Sequence, residues 1–101
     1  MEGTKELITT DEIRNKVYII RGQQVMLDRD LAEIYGYEVK KLNQQVKRNI
    51  ERFPEDFMFQ MTREEVNDLR SKFPTANINP KSRYLPHVFT EQGIYMLATV
   101  L

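Results

Sequence analysis

Between residues 40 and 52 the chain places Lys40, Lys41, Lys47, Arg48 and Arg52 around two side-chain amides, Gln44 and Gln45. Ammonium and guanidinium groups bind phosphate oxygens, and side-chain amides can pair with adenine edges. Arg48 suits a guanine edge or a phosphate, and its position does not choose between them. An amphipathic helix with lysine, glutamine and arginine outside is also a common solvated face, but such faces ordinarily mix signs. Here Glu51 is the one acid near the centre of the face. A second basic segment, Pro74–Arg83, carries Lys81 and Arg83. It reads either as a wing touching the phosphate backbone or as a solvated loop.

Other chemistries find little support. His87 is the single histidine and there is no cysteine, so histidine clusters, thiolate metal sites and a His-paired nucleophile are not available. Glu38-Val-Lys40 matches the acid-x-lysine element of metal-dependent nucleases, but it falls at a helix start, where an acid answers the helix dipole. Glu55-Asp56 and Glu64-Glu65 suit a turn and a first helical turn. There is no glycine-rich phosphate loop and no Gly-x-Ser-x-Gly elbow. The expectation is a protein without catalytic activity, cofactor, metal or small-molecule substrate.

The elements that must hold the basic face follow from spacing. Val39, Leu42, Val46, Ile50 and Phe53 recur at helical intervals, which predicts one helix from about Glu38 to Phe53, stopped by Pro54. Before it, Asp28 reads as a cap, Asp30 favours the positive helix end, and Leu31, Ala32, Ile34 and Tyr35 form an apolar face closed by Gly36. Two helices joined by a short glycine turn make a helix-turn-helix. Val17–Arg21 and Gln24–Leu27 are strand-like runs around Gly22-Gln23, which predicts a β-hairpin with a type II′ turn.

Further on, Phe57–Met61 predicts a short strand, and Thr62-Arg-Glu-Glu65 is a capping box for a helix burying Val66, Leu69 and Phe73. Pro74–Ser82 predicts an irregular loop. Tyr84–Phe89 predicts a weak strand that Pro86 confines to a sheet edge. Thr90 caps a last helix with an Ile94, Leu97, Ala98, Leu101 stripe and no capping signal after it, as in a helix truncated at residue 101 or a partner surface. His87 reads as structural, and Met26, Met58, Met61 and Met96 as core fillers. The fold class is therefore α+β with a single core: β-hairpin, helix-turn-helix, then strand, helix, strand, helix. Residues 1–16 form an N-terminal segment with a short helix from Thr9 to about Asn15, and residues 17–101 form the domain.

A length of 101 residues suits one domain, and no apolar run is long enough for a membrane span. The polar amino terminus is unlike a secretory signal, so a cytoplasmic protein is expected. Fifteen basic residues balance fifteen acidic ones. The balance is an average: residues 36–53 and 71–85 each carry plus three, and acids elsewhere offset them. Any nucleic-acid surface must be local.

Four blocks, in order, carry a family resemblance: Ile20-Arg-Gly-Gln-Gln-Val-Met-Leu-Asp-Arg-Asp-Leu-Ala-Glu-Ile-Tyr-Gly36, Leu42-Asn-Gln-Gln-Val-Lys-Arg-Asn49, Arg52-Phe-Pro-Glu-Asp-Phe-Met-Phe59 and Arg83-Tyr-Leu-Pro-His-Val-Phe-Thr-Glu-Gln-Gly93. Together they resemble the phage ORF-six amino-terminal domain, a relative of KilA-N. The resemblance implies a double-stranded DNA-binding module of a phage or prophage regulatory protein of antirepressor type, working in the cytoplasm of the bacterial host. The alternative is a protein-interaction or dimerisation module that binds a repressor, a partner chain or a second copy of itself.

Overall fold

The computed structural model describes residues 15–101; the expected short helix near Thr9 lies outside the described residues. Strands β1 (Val17–Ile20) and β2 (Gln23–Leu27) form the expected hairpin, with Val17 opposite Met26 and Ile20 opposite Gln23. The turn sits one residue earlier than the glycine rule predicts. Its central residues are Arg21 and Gly22, at φ 55° and 75°, so the turn has two positive φ angles rather than the single one of a type II′ turn. Arg21 is held there by its side chain. Its guanidinium donates to both carboxylate oxygens of Glu65, at 2.8 and 3.0 Å, and lies 4.1 Å from the centre of the Phe59 ring.

Helix α1 (Asp28–Tyr35) follows β2 directly, and Gly36 closes it in the left-handed conformation at φ 72°. Helix α2 (Val39–Arg48) comes next and is shorter than its periodicity predicts. The reason is Asn49. Its side-chain Nδ2 donates to the Gln45 carbonyl at 2.8 Å, taking the acceptor that its own backbone N–H would use in a continuing helix. That N–H turns to the Val46 carbonyl instead, and a 3-10 turn (Ile50–Arg52) completes the segment. Ile50 is consequently 53% exposed rather than buried, and Arg52 leaves the register of the α2 face.

Strand β3 (Met58–Gln60), helix α3 (Arg63–Lys72), strand β4 (His87–Phe89) and helix α4 (Glu91–Val100) complete the order. The Thr62–Glu65 capping box forms in both directions, at 3.1 and 2.9 Å. Phe73 ends α3 exposed, with its ring edge-on to Tyr18, rather than buried. The sheet order is β1-β2-β4-β3, antiparallel throughout, so β4 is an interior strand and not the predicted edge. Pro86 does not prevent this because it precedes the ladder, where its carbonyl accepts from the Met61 N–H at 2.9 Å.

Alternation along the strands divides the interior between the two sheet faces. Val25, Leu27, Phe59 and Val88 pack with Val66 and Leu69 of α3 on one face. Met26, Met58 and Phe89 pack on the other with Leu31 and Ala32 of α1, Leu42 and Val46 of α2, and Leu97 of α4. Met61 is buried on the α3 side, and Met96 packs against the opposite cluster, so the methionines fill the interior as expected. Of the predicted α4 stripe, Ala98 faces solvent.

Candidate nucleic-acid interface

Burying Leu42 and Val46 against the sheet fixes the rotation of α2. Lys40, Lys41, Gln44, Lys47 and Arg48 are then exposed, and Gln45 is half-buried. No acid occurs between Val39 and Arg48. The two flanks of the helix differ. Lys40, Gln44 and Lys47 line an open groove of about 360 Å³ together with Arg29, Val39, Asn43 and Tyr84. Lys41, Gln45 and Arg48 lie off this groove on the other flank. Lys81, Arg83 and Arg52 are exposed but do not line it.

Arg29, Asn43 and Tyr84 therefore join the site although spacing does not single them out. Arg29 stands between two acids, in Asp28-Arg29-Asp30, which masks it as a local charge balance. Asn43 sits among Lys40, Gln44 and Lys47 on one flank, and Tyr84 adjoins Arg83; both are legible as positions but not as partners.

Their common anchor is Asp28. In place of the expected helix cap, it is the first residue of α1, fully buried, and its carboxylate joins four segments. Oδ2 accepts from Asn43 Nδ2 at 3.0 Å, from the Tyr84 hydroxyl at 3.1 Å and from the His87 backbone N–H at 3.2 Å. Oδ1 accepts from the Arg29 N–H at 2.8 Å. Asn43 Nδ2 also donates to the Tyr84 oxygen at 2.9 Å, so the loop carrying Lys81 and Arg83 is pinned to α2 through Tyr84.

Proton bookkeeping closes around this hub. The Tyr84 hydroxyl gives its one proton to Asp28, and His87 Nδ1 lies 2.6 Å from the same oxygen. The neutral His87 tautomer with its proton on Nδ1 satisfies both interactions. Burial and the neighbouring Asp28 raise the Tyr84 phenol above its ordinary value, so it remains a donor.

Burial also lowers the His87 value below its ordinary 6.5, with the Asp28 charge opposing the shift. The unfolded chain then binds more protons than the folded one between the depressed value and 6.5. This contribution to stability is present above that window and is lost as pH falls through it. Urea midpoints measured from pH 8 to pH 5 should therefore drop more steeply for the native protein than for His87→Asn, which keeps a polar atom near Tyr84 but does not titrate. Parallel profiles would contradict the coupling.

Asp30 is a second buried acid, 2% exposed. Lys16 Nζ lies 3.5 Å from its Oδ1 and Asn77 Nδ2 donates to it at 3.2 Å, while burial pushes its carboxyl upward. Among the described residues no group of three or more His, Cys, Asp or Glu side chains is arranged to hold a metal, and no helix is long and apolar enough to cross a membrane.

No curated protein and no solved structure matches the chain. The family described as the ORF6N domain matches residues 15–100, nearly the whole chain and all of the fold described above. The protein belongs to the phage-associated ORF6N domain family.

Proposed function

We propose that this domain is a sequence-specific double-stranded DNA-binding module of a phage or prophage regulatory protein of antirepressor type, working in the host cytoplasm. The observation that carries the reading is the rotation of α2, whose buried Leu42 and Val46 leave four cations and Gln44 outward with no acid among them. α1, the Gly36 turn and α2 then act as a helix-turn-helix, with α2 entering the major groove. Lys40, Lys41 and Lys47, with Arg29, displace counterions from phosphates; Gln44, Gln45 and Arg48 address base edges. Arg52, Lys81 and Arg83 extend phosphate binding to either side. The role we assign is binding rather than catalysis, because the groove gathers cations, amides, a valine and a phenol whose proton is given to Asp28.

The protein-interaction reading draws on the α4 stripe. Leu97 is fully buried there, and Ile94, Val100 and Leu101 pack against the domain's own interior, so DNA binding is the preferred reading. Selection of bound sequences from random duplex DNA, followed by titration at several salt concentrations, tests it. Lys41→Ala combined with Arg48→Ala should weaken binding and lower the log–log salt slope by about 1, since the phosphate neutralised by Lys41 contributes roughly 0.9 and Arg48 addresses a base edge. Unchanged affinity and slope would remove α2 from the interface.

A further inference from the structure

The groove beside α2 has an apolar floor that phosphate binding does not require. Val39, the first residue of α2, is half-buried and presents its remaining surface to the groove; the ring of Tyr84 forms the other apolar wall. Around them stand Arg29, Lys40 and Lys47, with Gln44 at the rim. Phosphate oxygens are served by the cations alone, and a wet apolar floor between three cations is an unfavourable surface unless something apolar covers it. A partner carrying negative charge outside and a small apolar group inside fits this arrangement. In the major groove of a DNA duplex, the apolar group that base edges present is the thymine C5 methyl.

We infer that Val39 and Tyr84 form a pocket for the thymine methyl of one A·T pair in the recognised site. The inference rests on the DNA-binding reading above and adds to it a base identity and two residues that read it. Position supports the assignment, because residues at the start of a recognition helix are the ones that approach base edges. Rigidity supports it as well. The Tyr84 hydroxyl is bound to Asp28 at 3.1 Å and to Asn43 at 2.9 Å, so the wall is ordered before DNA arrives and little entropy is lost on binding. Val39 is likewise held at the helix start, against the α1–α2 interior.

The test uses the sequence selected by the native protein, with each thymine replaced in turn by deoxyuridine, which removes the methyl and nothing else. One position per site should lose about fourfold in affinity, the value of one buried methyl group. In Val39→Ala that position should become indifferent to the replacement, while other positions behave as before. Because the readout is a thymine-to-uracil ratio within each variant, any loss of folded protein cancels. Selection that yields no preferred sequence overturns the DNA reading and this inference together. Specific binding with no thymine position sensitive to the replacement overturns this inference alone, as does a Val39→Ala protein that keeps the full thymine preference.

Discussion

Gly93→Ala should destabilise the domain by about 3 kcal/mol or more, visible as a large fall in the urea midpoint. On an exposed helix the same substitution would stabilise by about 1 kcal/mol, so even the sign is diagnostic. The cause is the seating of the first turn of α4 on the segment before β3. A Cβ on Gly93 would lie within the van der Waals shell of the Phe57 carbonyl oxygen and 2.8 Å from its carbon. Neither side can yield cheaply. The Phe57 carbonyl accepts from the Thr90 N–H at 2.9 Å, and the Thr90 hydroxyl donates to the Asp56 carbonyl at 2.7 Å while accepting from the Gly93 N–H at 3.4 Å. Moving α4 away would break this cap and lift Leu97 from the interior. A midpoint equal to or above that of the native protein would show that the junction relaxes more readily than its hydrogen bonds imply.

Asp28→Ala is the second large effect, with an expected loss of about 3 kcal/mol from three partly buried donors that lose one shared, fully buried acceptor. The methyl cannot serve Asn43 Nδ2, the Tyr84 hydroxyl or the His87 N–H, all of which lie within 3.2 Å of Asp28 Oδ2. Asp28→Asn should be milder if the amide oxygen takes the place of Oδ2, and it then directs its NH2 toward the Arg29 N–H. A double-mutant cycle between Asp28→Ala and Tyr84→Phe should give a coupling of about 0.5–3 kcal/mol, as expected for residues in one network. Additive losses, or an Asp28→Ala protein as stable as the native one, would show that the hub does not join α1, α2 and the loop. The network also bears on the interface, because Tyr84 and Asn43 both line the groove.

Much of this architecture is legible in the chain. The Gly36 stop, the Thr62 capping box, the Thr90 cap and the Leu42–Val46 stripe are local signals, each needing only a few neighbouring residues to act. The departures have an equally definite origin. Periodicity extends α2 to Phe53 because Ile50 and Phe53 keep the interval, but the Asn49 side chain competes for a backbone carbonyl and ends the helix at Arg48. Pro86 ordinarily marks a sheet edge, yet here it lies just outside the ladder, and β4 pairs on both sides. The hairpin turn slips by one residue because Arg21 tolerates a positive φ with its guanidinium held by Glu65, more than forty residues away in sequence.

The interface divides along the same line. That Lys40, Lys41, Gln44, Gln45, Lys47 and Arg48 share the outer side of one helix follows from the 3.6-residue repeat and from the burial of leucine and valine, both properties of a short stretch of chain. Which of them face a groove, and what stands opposite, depends on Asp28, Asn43, Tyr84 and His87 meeting across 59 residues of sequence. Such a meeting is set by how the sheet orders its strands and by where a buried carboxylate finds its donors. Those are long-range constraints, and no local pattern in the sequence records them.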